Sequence, residues 1–121
     1  MKIRTDFVTN SSSSSYIIAK RNDCTKDDIE KLFYQKVKNF VINETEYCYQ
    51  MEELITKYGQ EKAIKIAIET ILDNLFNIND ISLDNWDIDG GTCNSDGYLY
   101  SSFIYMTGHF DTEKFKIQMT N

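Results

Sequence analysis

Between Gln60 and Phe76 the apolar residues Ala63, Ile64, Ala67, Ile68, Ile71, Leu72, Leu75 and Phe76 recur at steps of three and four. That period places them along one side of a helix as a stripe too wide to leave in water. The stripe demands a partner layer, and the rest of the chain must supply it. Gly59 just before it suits the end of a preceding helix, read over about Glu44 to Tyr58 with Tyr47, Met51, Leu54, Ile55 and Tyr58 inward. A further helix is expected after Thr25, which can cap it. Asp27 and Asp28 suit its first turn, and Ile29, Leu32, Phe33, Lys36 and Phe40 fall near one face.

The flanking segments follow a different rule. Tyr16 to Arg21 reads as a strand, with Ile3, Phe7 and Val8 as a shorter strand before it and the serine run as their connection. From Leu83 onward Trp86 and Ile88 alternate with acids, Gly90-Gly91 and Asp96-Gly97 suggest turns, and Tyr98 to Thr107 is rich in aromatic residues, which favours strand. Gly108 and His109 suit another turn. Phe115, Ile117 and Met119 then alternate with Lys114, Lys116 and Gln118 as a half-buried final strand. The expected fold is therefore α+β. An antiparallel sheet, made of a C-terminal β-meander and an N-terminal strand, packs on about three helices. Length fits one domain over 1–121, with a polyserine loop at 10–15.

Nineteen acidic against thirteen basic residues give a net charge of −6. This balance opposes direct contact with nucleic acid and favours a partner with a basic surface. No apolar run approaches a membrane span, and the first residues lack the apolar core of a secretion signal. Three widely spaced cysteines do not form a disulfide framework, so the expected home is the cytoplasm.

Four features bear on chemistry. The serines at 11–15 carry hydroxyls, but no glycine occurs between Met1 and Tyr58 to let backbone approach a phosphate. No Gly-x-Ser-x-Gly elbow accompanies the only histidine, His109, so serine hydrolase chemistry is not expected. Cys24, Cys48, Cys93 and His109 number the four ligands of tetrahedral zinc, though without paired spacing. The most economical partial site joins Cys93 and His109 from neighbouring strands. Asn85, Asp87, Asp89, Gly90 and Asp96 echo a calcium loop imperfectly, and solvated acids around a turn are the simpler reading. Finally Tyr98 and Tyr100, alternating on a strand and rimmed by Asp87, Asp89 and Asp96, form a candidate partner surface.

The stretch Lys2-Ile3-Arg4, then Phe7-Val8-Thr9-Asn10, five serines and Tyr16, resembles a block that heads many uncharacterised bacterial and phage proteins. The resemblance covers residues 1–18. Together with the size, the acidity and the missing catalytic constellation, it points to a mobile-element accessory protein that disables a host factor, with no enzyme activity expected. By analogy its most concrete form is an anti-CRISPR-like inhibitor that blocks nucleic-acid loading by a Cas effector. The alternative is a zinc-binding module or metal-dependent enzyme on Cys48, Cys93 and His109, with Asp96 as a base.

Overall fold

A computed structural model of the chain describes residues 14–43, 49–93 and 98–119. The expected strand at Ile3 to Val8, most of the serine run, Cys48 and the Asp96-Gly97 turn lie outside the described residues. Four helices and five strands are described. They are β1 (Ser14–Arg21), α1 (Lys26–Asn43), α2 (Tyr49–Tyr58), α3 (Gln60–Phe76), β2 (Ile81–Leu83), β3 (Trp86–Cys93), α4 (Leu99–Thr107), β4 (Phe110–Asp111) and β5 (Phe115–Met119).

The strands form one antiparallel sheet in the order β2-β3-β1-β5-β4. The fold class is α+β as expected, but the C-terminal strands are not a meander. The N-terminal strand β1 lies at the centre, with β3 on one side and β5 on the other. Two local readings change with it. Tyr98 to Thr107 is mostly helix: Leu99 and Phe103, one turn apart, are both buried, and Gly108 ends the helix at φ 66 with its N–H on the Ile104 carbonyl. Burial of that i, i+4 face outweighs the strand preference of its aromatic residues. Gly90 and Gly91 form no turn either. They sit inside β3, opposite Ile17 and Tyr16, where a Cβ on Gly91 would come within 3.3 Å of the Tyr16 hydroxyl. The turn is instead Asp84-Asn85, with Asp84 at φ 56. Ser14 and Ser15, read as loop, open β1 opposite Cys93 and Thr92.

Helix α1 begins with a reciprocal cap. The Thr25 hydroxyl accepts the Asp28 N–H at 3.1 Å, and the Asp28 carboxylate accepts the Thr25 N–H at 2.9 Å. That bond, helped by nearby Lys114, holds the Asp28 carboxyl below its ordinary value. The buried face of α1 is Ile29, Phe33, Val37, Phe40 and Val41, so Lys36 is exposed where an inward position was expected. Ala63 and Ala67 on α3 are fully buried, small enough to let helices approach closely. Gly59 joins α2 to α3 at φ 88 and ψ 160, a positive-φ conformation that glycine adopts without strain but not the αL geometry of a helix C-cap.

Phe33 centres the core. Its ring lies 4.5 Å from Phe110, 5.0 Å from Phe115 and 6.3 Å from Phe103, tying α1 to both C-terminal strands and α4. The Phe33–Phe115 and Phe33–Phe103 pairs are edge-on, at 74°, and such pairs add about 1 kcal/mol each beyond the area they bury. Among the described residues, no helix is long and apolar enough to cross a membrane.

Candidate interaction surface

Side-chain alternation along β1 sorts the whole sheet into two faces, because directly paired residues of antiparallel strands point the same way. Ile18 and Lys20 are buried on the helix side, while Ile17 is 47% exposed on the other. The register then assigns Ile117 and Phe115 of β5 to the covered face, along with Asp87 and Asp89 of β3. Ala19, Ile88 and Ile81 share the opposite face, as do Trp86 and Leu83. Lys116, paired with Ala19, confirms this assignment: its Nζ reaches over the Trp86 ring at 6.0 Å and also bonds Asp111.

No described helix packs on that second face. Its β2-β3-β1 half carries Ile17, Ala19, Ile81, Leu83, Trp86 and Ile88, with Ile81 58% and Leu83 59% exposed. The β5-β4 half carries Lys116, Gln118 and Asp111. Single exposed apolar residues are ordinary, but a contiguous set containing Trp, Leu and Ile beside a charged margin has the make-up of a contact surface.

On the covered face the acids are half-buried. Lys20 Nζ lies 3.5 Å from the Asp87 carboxylate and 5.1 Å from the Phe76 ring centroid, and the Ser82 hydroxyl donates to Asp87 at 3.0 Å. Asp89 accepts the Gly90 N–H at 2.9 Å and lies near Tyr16 and Tyr100. The Tyr100 hydroxyl is buried with no hydrogen-bond partner among the described residues. Burial foremost, then the charges of neighbouring groups including Asp89, raises the pKa of both tyrosines.

The surface expected from the sequence is therefore not assembled as read. Tyr98 precedes α4 and is 51% exposed, its ring 6.2 Å from Tyr49, while Tyr100 is half-buried toward the sheet. Two positions on a helix are separated by about 200° of rotation, so a pair that would share a strand face diverges on a helix. Asp87 and Asp89 face the helices, and Asp96 lies outside the described residues. Nor do Asn85, Asp87 and Asp89 form a calcium loop. Asn85 sits in the hairpin turn, where its carbonyl accepts the Asn22 N–H, and the two acids belong to a regular strand.

The candidate zinc ligands are also dispersed. Cys93 pairs with Ser14 at one end of β1, whereas Cys24 bonds back to Arg21 at the other, a separation on the order of 20 Å at the rise of a strand. His109 is exposed beside β4, which β1 and β5 separate from β3, so it and Cys93 do not come from neighbouring strands. Burial pushes the Cys24 and Cys93 thiols up, away from the thiolate a metal needs. Among the described residues, no group of three or more His, Cys, Asp or Glu side chains could hold a metal ion.

A cleft of about 310 Å³ between α2, α3 and the start of α4 is lined by Leu54, Ile66, Leu99, Gln50 and Lys57, among others. Gln50 Oε1 accepts the Leu99 N–H there at 2.7 Å, so the amide already serves as the cap of α4.

The sequence pattern did not reveal the open face, because Asp87 and Asp89 were expected on the outward rim of a partner surface, whereas the register puts them with buried Lys20 and Ile18. One signal was available. Lys20, two residues from Ile18 on the same strand, offers a buried partner to an acid from β3, which turns the parity of the acids inward.

Comparisons of the chain with protein-family models, with curated proteins and with solved structures find no match.

Proposed function

We propose that this chain works by binding another protein, with the β2-β3-β1 half of its sheet, which no described helix covers, as the contact surface. One observation carries the reading: adjacent residues Ile17 and Ile18 are chemically identical, yet the second is fully buried and the first is 47% exposed within an apolar patch. The free energy left in such a patch is released only when something covers it. The N-terminal resemblance suggests a host factor as the partner. Exposed Asp80 and Asp84, at either end of β2, favour a partner with basic groups.

A photo-reactive residue placed at Leu83, compared with one at exposed Tyr34 on α1, tests this in a bacterial extract. The expected result is a discrete adduct from position 83 that Ile17→Lys abolishes without altering the melt, and none from position 34. Equal adducts from both positions, or none from position 83, would refute the surface assignment. A self-adduct would make the partner a second copy.

A further inference from the structure

The reading of the open face as a binding surface can be taken to the backbone. The Arg21 N–H donates to the Lys114 carbonyl at 2.9 Å, away from β3, so the Arg21–Trp86 pair exchanges no hydrogen bonds across β1 and β3. Trp86 therefore turns its backbone groups toward Leu83 of β2, as the two-residue Asp84-Asn85 turn also requires of the pair that closes it. By alternation, Ser82 turns its N–H and carbonyl the other way, to the outer edge of the sheet. No described strand pairs with that edge.

The side chains around it form a pattern. Ile81 and Leu83 point to the open face, continuing the apolar patch to the edge itself. Asp80 and Asp84 flank them, both exposed, and neither is paired with a cation among the described residues. An antiparallel copy of β2 centred on Ser82 would set Asp80 against Asp84 at both ends, and like charges directly opposite are destabilising. A strand with basic residues four apart meets those acids instead.

We infer that the edge of β2 accepts an extended segment of another protein as a sixth strand, with a basic-apolar-x-apolar-basic pattern centred opposite Ser82. Its central residue exchanges both backbone hydrogen bonds with Ser82. Its two apolar residues extend the Ile81, Leu83 and Trp86 surface, and its basic ends face Asp80 and Asp84. This rests on the proposed binding role of the open face and specifies the partner's chemistry.

The test uses the full chain and the fluorescent peptide Gly-Ser-Lys-Ile-Thr-Ile-Lys-Ser-Gly, followed by anisotropy. Saturable binding is expected, weakened about tenfold when both lysines become glutamate and about threefold by Asp80→Asn with Asp84→Asn, with weaker binding at higher salt. Ser82→Pro removes the outward N–H without touching a β2-β3 hydrogen bond, and should weaken binding at least about tenfold while Ser82→Ala does not. N-methylation of the peptide's central threonine tests the same bond with the protein unchanged, and the same loss is expected. Binding indifferent to N-methylation, or equal for the lysine and glutamate peptides, would overturn the inference, as would absence of binding. So would a dimer of the chain alone that Ser82→Pro dissolves, which would establish self-pairing. A position-83 adduct together with a flat peptide series would leave the open face as a binding surface and remove strand addition. Loss of both results would remove the binding role itself.

Discussion

The two faces of the sheet are built from the same strands, yet they solve opposite problems. The covered face brings Ile18, Phe115 and Ile117 against Phe33 and Phe103, and it even shelters a lysine because Asp87 and the Phe76 ring receive it. On the open face Ile17, Ile81 and Leu83 are exposed and Ala19, Trp86 and Ile88 half-buried, and no described helix covers them. The difference shows that hydrophobicity sets how much surface can be buried, while the position of the helix layer sets which half of it is buried on folding.

The largest test of this contrast lies at the core. Phe33→Ala should cost about 3–5 kcal/mol in urea unfolding, whereas Ile17→Ser should change stability by no more than about 0.5 kcal/mol. A comparable loss at Ile17 would show that the second face is covered in the free protein. Next in size, Lys20→Met takes the cation from a half-buried Asp87 carboxylate that keeps only the Ser82 hydroxyl, and should cost about 2 kcal/mol, with most of it recovered by adding Asp87→Leu. Failure of the double variant to recover would mean that Lys20 acts mainly through its stem and the Phe76 ring. Thr25→Ala, which breaks the cap of α1 but touches neither face, should cost about 1 kcal/mol in the same measurement. Tyr100→Phe removes a hydroxyl that is buried without a partner among the described residues. It should leave stability unchanged or raise it by up to about 1 kcal/mol, and a loss would reveal a bond to that hydroxyl in solution.

The smallest effect is in pH. Asp28 is held below its ordinary value chiefly by the Thr25 N–H, so its contribution is present above the unfolded carboxylate value and is lost as pH falls through the lower, folded one. Asp28→Asn should therefore flatten the acid limb of a stability profile and leave the neutral region parallel to wild type.

Much of the helix layer was legible because its signals are local. The 63–76 stripe, the Thr25 cap and Gly59 each need only a few neighbouring residues to act. The final strand was legible for the same reason, as Phe115, Ile117 and Met119 alternate without interruption. The candidate site was not. The expected aromatic patch depended on Tyr98 and Tyr100 sharing a strand face, and burial of Leu99 and Phe103 made that segment helical. The expected metal set depended on ligands converging from distant parts of the chain, and the strand order sends Cys24 and Cys93 to opposite ends of β1.

What the sequence determined by itself was the α+β class, the existence and starts of α1 and α3, and the excess of acid, since period, caps and charge are properties of short segments. What only the tertiary structure decided was that β1 lies between β3 and β5, that Gly91 serves the ring of Tyr16, and that Asp87 turns inward while Trp86 turns out. A strand with usable side chains on both faces carries no local mark of which one meets the helices. The choice follows from pairing with residues distant in the chain, where Lys20 finds Asp87 and Phe33 finds Phe110 and Phe115.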